Sequence, residues 1–315
     1  MRSVVAGGAG FVGSHLVEAL LRRGDEVVVL DNLSTGCLAN LDHLRQRPLT
    51  LLQVDITRPL VGVDGPVDEI YNLASPASPY DYLRLPLETL LVGSQGVVNT
   101  LELARATGAR YLYSSTSEVY GDPLVHPQPE GYFGNVNPVG PRSVYDESKR
   151  FGEATVSAYR QTHHVDAKIV RIFNTFGPRM RVDDGRAIPN FIDQALRGAP
   201  ITVSGDGSQT RSICYVDDLV AGLVAMMASD ESGPVNLGNP EEFSMLDLAR
   251  WIRELTGSTS PIEFIDRPTD DPEVRRPVID LARDLLGWRP SISAEVGLKQ
   301  TIDASIAAHE RRDRA

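Results

Sequence analysis

Two cysteines in 315 residues, Cys37 and Cys214, are too few and too far apart for a disulfide framework or a metal-ligand set. The chain is therefore expected to bind no metal and to work in a reducing cytoplasm. Positive charge is also scarce: 31 Lys and Arg stand against 42 Asp and Glu, for a formal net charge of −11. A phosphate backbone or an anionic bilayer must be neutralised by clustered cations, so neither nucleic acid nor membrane is expected as a partner. Single arginines still leave room for a small anionic ligand. No apolar run reaches the roughly 20 residues of a membrane span. The opening MRSVVAGGAG breaks at glycines before a signal-peptide core forms, so no leader is expected.

What the chain does have is an ordinary globular composition, 42% hydrophobic and 23% charged, at about twice the length of a typical domain. Short β-branched runs recur at Ser3 to Ala6, Glu26 to Leu30, Thr50 to Val54, Glu69 to Leu73, Arg110 to Ser114 and Lys168 to Ile172. Amphipathic stretches separate them, at Gly13 to Arg23, Leu90 to Ala106 and Tyr145 to Thr162. This rhythm predicts an α/β fold, a doubly wound parallel sheet of Rossmann type covered on both faces. After Asn174 the pattern loosens into Gly- and Pro-rich loops with separate helices at Ile188 to Arg197, Val216 to Met227 and Met245 to Leu255. We therefore expect a nucleotide-binding domain over residues 1–176 and a smaller substrate lobe over 177–315, with some of its segments packing back on the first domain.

Gly7, Gly10 and Gly13 are spaced G-x-x-G-x-x-G directly after the first strand and open the first helix. Glycines at that spacing permit a tight turn and let a pyrophosphate approach backbone N–H groups at a helix start. Asp31 ends the next strand, where a carboxylate accepts hydrogen bonds from a free ribose 2′-hydroxyl and repels a 2′-phosphate. NAD is thus favoured over NADP. Asp55 and Ile56 end the third strand and are candidates for the adenine edge, with a turn cap as the equal alternative for Asp55.

Tyr145 and Lys149 lie four apart in a helical pattern and project from one face. A phenol is a poor base at neutral pH, and a neighbouring ammonium together with a cationic nicotinamide would favour its phenolate. The pair is therefore a candidate proton acceptor for a sugar hydroxyl.

These features together resemble the extended, sugar-nucleotide-modifying branch of the short-chain dehydrogenase/reductases: Gly7 to Gly13, Asn72-Leu73-Ala74, and Tyr145-Asp146-Glu147-Ser148-Lys149. In that family Thr, Tyr and Lys poise a hydroxyl for hydride transfer to NAD, and the matching positions here are Thr116, Tyr145 and Lys149. Nucleotide-sugar 4,6-dehydratases carry Asp-Glu after the Thr; here the first of these is Ser117, so water elimination lacks its acid. The 4-epimerases usually lack a carboxylate at the position of Glu118. Thr116-Ser117-Glu118 followed by Val-Tyr-Gly-Asp-Pro, Arg171 to Met180, Gly205 to Arg211 and Asp271 to Pro277 are similar to the UDP-glucuronate decarboxylases (UDP-xylose synthases). One departure is Gly93, where the family tends to carry Asn.

The resemblance implies oxidation of carbon 4 of UDP-glucuronate by NAD, loss of carbon dioxide from the resulting β-keto acid, and return of the hydride to give UDP-xylose. It implies Tyr145 as base, Lys149 as its electrostatic partner and Thr116 as the group orienting the hydroxyl, with Glu118 and Arg275 around the sugar carboxylate. Glu118 would either repel that carboxylate or act protonated. Arg275 would grip it, unless Arg275 and Arg276 form only a solvated loop. Phe11, Val12, Asn32, Gly36, Ala74, Ser75 and Thr175 complete the expected coenzyme contacts. Asn174, Arg179, Arg186, Gln209 and Arg211 complete those to the nucleotide sugar. Family members commonly pair through two helices, which here would include Leu90 to Ala106 and Tyr145 to Thr162, so a homodimer is expected. An oxidative decarboxylase releasing the 4-keto pentose, a UDP-glucuronate 4-epimerase and a non-catalytic NAD-binding regulator stay open as alternatives.

Overall fold

The computed structural model describes residues 1–313. Its centre is a seven-stranded sheet, and the strands nearest the middle are aliphatic without alternation because both faces are covered. In chain order these are β1 (Arg2–Ala6), β2 (Glu26–Asp31), β3 (Leu49–Gln53), β4 (Glu69–Asn72), β5 (Arg110–Thr116), β6 (Ala167–Ile172) and, much later, β11 (Val235–Leu237). They pair in the order β11-β6-β5-β4-β1-β2-β3, parallel throughout. The connection reverses between β1 and β4, and ligands of such sheets bind outside the carboxyl ends of the strands at that point. There Gly7 follows β1 and Leu73 follows β4, whose amide donates to the Ala6 carbonyl.

Helix α1 (Phe11–Arg23) covers one face together with α7 (Val216–Ala228). On that side Leu16, Val17, Leu20, Leu219 and Leu223 are buried in one cluster with Val5 and Val29. The other face carries α4 (Val97–Thr107) and α5 (Ser143–His163), where Leu101 and Val156 pack on Val4, Ile70 and Tyr111. Each such aliphatic side chain contributes about 1.5–3 kcal/mol on burial.

The single helix expected from Leu90 to Ala106 is interrupted. It runs as α3 (Pro86–Leu91), a wide π-type turn over Val92–Gly96, then α4. Gly93 and Gly96 are weak helix formers, and a Cβ on Gly93 would lie 2.5 Å from the Ser148 Cβ on α5. Close approach to α5, rather than local propensity, shapes this segment.

Beyond Gly177 the chain does not stay in one lobe, since α7 and β11 return to the sheet. The remainder builds a cap from α6 (Ala187–Leu196), α8 (Met245–Leu255), the parallel pair of β8 (Ile201–Ser204) with β13 (Ile262–Ile265), and the antiparallel pair of β9 (Thr210–Ser212) with β12 (Glu242–Ser244). Met226 and Met227 are buried in the core. No helix among the described residues is long and apolar enough to cross a membrane.

Candidate active site

The glycine turn is built by exclusion. Gly7 adopts φ +78°, and a Cβ there would lie 2.8 Å from the Ala74 Cα; one on Gly13 would lie 2.0 Å from the Gly7 carbonyl oxygen. A Cβ on Gly10 would meet only that same oxygen, at 3.2 Å, so the outer side of the turn is open. No side chain caps α1, which leaves the amides around Phe11 and Val12 for an anion.

Asp31 is buried at the end of β2 and accepts from the amides of Ala9 (2.9 Å) and Leu33 (2.8 Å). Burial raises its carboxyl pKa and the two amides oppose the rise. Gly36 lies against it, since a Cβ there would come within 2.9 Å of Oδ1. Asn32 accepts from the Ser34 amide (3.0 Å), and Asp55 accepts from Thr57 (2.9 Å), which is the turn-cap alternative. Ile56 is buried and its carbonyl accepts from Asn99 (2.7 Å). A glycine cradle that a Cβ would fill, with a carboxylate at one end and a lysine at the other, fits a dinucleotide.

A cavity of about 510 Å³ opens from this turn into the cap, lined by Val12, Ser75, Thr116, Glu118, Tyr145, Lys149, Asn174, Thr175, Arg186, Gln209 and Arg211 among others. It therefore gathers groups scattered over nearly 200 positions into one chamber. Lys149 Nζ donates to the Ser114 carbonyl (2.8 Å) and lies 5.8 Å from the Tyr145 ring centroid. The Tyr82 ring stacks on Tyr145 at 5.2 Å. Burial pushes the Tyr145 phenol up to about 12, with Thr116 and Arg186 opposing. It also pushes the Lys149 ammonium down to about 7. Desolvation disfavours the charged form of each.

Glu118 follows β5 in a short 3₁₀ turn capped by Thr116, whose hydroxyl accepts from the Glu118 amide (3.2 Å). Burial alone would raise its carboxyl pKa, but Arg275 and Arg142 hold it down at about 2. The two guanidiniums thus favour its ionised form. Arg142 donates to Glu118 Oε2 at 2.5 Å and Arg275 approaches the same oxygen at 3.3 Å. Arg142 lies in the segment Asn137 to Arg142 that resembles the decarboxylases, but its sequence context assigns it no role in the site. It stands just before α5, three positions from Tyr145, and that proximity was the available signal.

Arg275 is 1% exposed, so it is no solvated loop residue. It is not on the cavity wall either: its guanidinium is spent on Glu118 and on the Ser117 carbonyl. The expected direct grip on a sugar carboxylate is replaced by a hold on Glu118. Arg276 is half-exposed and faces Glu242. Arg211 pairs with Asp271 (3.0 Å), Arg186 with Asp184 (3.1 Å), and Gln209 donates to the Ser204 carbonyl (2.9 Å). The Asn174 amide nitrogen is buried without a partner among the described residues, and Thr175 donates to the Phe173 carbonyl (2.9 Å). Arg179 is not brought to the cavity; it pairs with Glu18 on α1 beside Ser14 and His43.

Comparison with known proteins agrees with this geometry. The profile of the NAD dependent epimerase/dehydratase family matches residues 3–238. The chain is 52% identical over 303 residues to UDP-glucuronic acid decarboxylase 1 of Arabidopsis thaliana, covering 96% of this chain and 69% of that protein. It is 51% identical over 302 residues to UDP-glucuronic acid decarboxylase 1 of Xenopus tropicalis, covering 96% and 71%. Among solved structures, UDP-glucuronic acid 4-epimerase from Bacillus cereus in complex with UDP-glucuronic acid and NAD superposes with a TM-score of 0.86 at 27% identity, covering 98% of this chain and 100% of the other. UDP-glucose 4-epimerase from Thermotoga maritima with UDP-glucose reaches 0.91 at 26% identity, covering 98% and 100%. By the family profile over most of its length and by about half identity to these relatives, the chain belongs to the NAD dependent epimerase/dehydratase family, in its UDP-glucuronic acid decarboxylase group.

Proposed function

We propose that the protein converts UDP-glucuronate into UDP-xylose and carbon dioxide. The observation that carries this is Glu118, an ionised carboxylate doubly held by Arg142 and Arg275 in the same chamber as Thr116, Tyr145 and Lys149. When bound, NAD supplies the acceptor for the carbon 4 hydride and, once carbon dioxide has left, its donor. Tyr145 takes the proton from the carbon 4 hydroxyl and Thr116 orients that hydroxyl. Lys149 steadies the phenolate, reaching past Ser114 toward the coenzyme's ribose. Oxidation makes the substrate a β-keto acid. The carbon 5–carboxyl bond then breaks, with its electron pair delocalised onto the carbon 4 oxygen beside Tyr145. Glu118 repels a second carboxylate and favours its departure as neutral carbon dioxide. Asn174, Arg186, Gln209 and Arg211 hold the nucleotide sugar, while Arg275 acts through Glu118. The coenzyme contacts are those of Gly7, Gly10, Gly13 and Asp31 with their neighbours.

Incubation with UDP-glucuronate and NAD tests this reading. UDP-xylose and carbon dioxide, with no net build-up of reduced coenzyme, support it; UDP-galacturonate without carbon dioxide would instead establish a 4-epimerase.

A homodimer joined through α3 and α5 goes with this reading, because Leu87, Leu91 and Phe151 leave large apolar surface exposed there. Sedimentation as a monomer at micromolar concentration would exclude it. Cys37 and Cys214 are both unpaired thiols, in keeping with a reducing cytoplasm.

A further inference from the structure

The proposed reaction consumes a proton. The proton that Tyr145 removes from the carbon 4 hydroxyl returns when that hydroxyl is re-formed. The carbon 5–carboxyl bond, however, is replaced by a carbon 5–hydrogen bond, so each turnover draws one further proton from solvent. The nucleotide sugar fills the 510 Å³ chamber while this happens. Glu118, the carboxylate on its wall, has no proton to give.

Behind Glu118 lies a second cavity of about 290 Å³, walled by Asp122, Asn135, Asn137 and Asp146 and sharing Glu118, Arg142 and Asp271 with the chamber. Its lining of carboxylates and amides suits water. Asp146 borders this cavity and not the chamber. It is 6% exposed, and its Oδ1 has no hydrogen-bond partner among the described residues. An ionised oxygen so placed is costly, whereas a carboxylic acid is not.

We infer that the second cavity is a water-filled proton inlet to carbon 5, with Asp146 as the positioning residue that holds a proton there and passes it through water ordered by Glu118. The inference rests on the decarboxylase reading. The charges around Asp146 act in both directions. Burial is the largest influence and raises its carboxyl pKa. Glu118 from the turn after β5 and Glu147 on α5 add to the rise, Arg142 and Arg275 oppose it, and the outcome is about 8. Tyr82 of α2 (Pro79–Arg84) and Tyr145 are its neutral neighbours, while Asp122, Asp270 and Asp271 face it across the cavity. Asp146 therefore keeps its proton to a much higher pH than an ordinary carboxyl.

The test follows UDP-xylose, released 4-keto pentose and reduced coenzyme across about pH 6–10 for wild type, Asp146→Asn and Asp146→Glu. The inference expects wild-type UDP-xylose formation to fall in alkali as Asp146 loses its proton. Reduced coenzyme should rise together with 4-keto pentose, which forms when the released enol takes its carbon 5 proton from bulk water. Asp146→Asn should form UDP-xylose about tenfold more slowly at neutral pH, with carbon 4 oxidation unchanged and that pH limb absent, and Asp146→Glu should restore the limb. Val136→Phe, which fills the inlet and leaves Asp146 in place, should give the same shift of products. Wild-type behaviour in both Asp146→Asn and Val136→Phe overturns the inference, as does equal slowing of oxidation and UDP-xylose formation. Failure of the wild-type protein to make UDP-xylose at all overturns the decarboxylase reading instead.

Discussion

Replacing Arg275 by Ala should unfasten Glu118, and the structure sets the size of the effect. Burial by itself would lift the Glu118 carboxyl, and Arg275 and Arg142 together more than offset that and hold it well below the ordinary carboxylate range. Arg275 is also the more fully buried of the two and donates to the Ser117 carbonyl as well. Its loss should therefore cost about 1.5–3 kcal/mol, the range for charge-assisted hydrogen bonds. The sign of the pH dependence is determined. A carboxyl whose folded pKa is depressed contributes stability that is fully present above its unfolded value and lost as pH falls through the folded one. The gap between wild type and Arg275→Ala should be widest above about pH 4.5 and close on the way down to about pH 2. Urea denaturation at neutral pH and in acid measures the gap. Turnover with UDP-glucuronate should fall as well, because Glu118 loses one of its two holds, while binding of UDP-glucose, which lacks the carboxylate, changes little. A stability gap that is the same in acid as at neutral pH refutes the pairing argument. A selective loss of UDP-glucuronate affinity with stability intact would return Arg275 to the substrate.

Tyr145→Phe should abolish carbon 4 oxidation by about 10²–10⁴-fold while NAD still binds, as single-turnover absorbance and a coenzyme titration would show; near-normal oxidation excludes Tyr145 as the base. Asp31 should make NAD bind much more tightly than NADP, and equal affinities by calorimetry would contradict its ribose role. Gly93→Asn, which supplies the residue the family tends to carry, places a Cβ 2.5 Å from the Ser148 Cβ and should cost about 1–3 kcal/mol in a denaturation experiment. Unchanged stability there would mean that α5 yields more readily than its packing indicates.

The parallel core, the glycine turn and the Tyr145–Lys149 pair are legible in the sequence because each depends on local spacing. Strand runs alternate with helical periods, a glycine every third residue suits the tight turn after a strand, and positions i and i+4 share a helix face whatever surrounds them. Tertiary structure decided the rest, where a residue's partner lies far along the chain. Arg275 meets Glu118 across 157 positions, so nothing local distinguishes a buried guanidinium from a solvated one. Arg179 is equally basic in sequence, yet the fold turns it to Glu18 and away from the cavity. The helix expected from Leu90 to Ala106 breaks because Gly93 packs against Ser148 of another helix. The upward shift of Tyr145 and the downward shift of Lys149 belong to the fold as well, because desolvation is a property of everything packed around a group and spacing alone carries no measure of it.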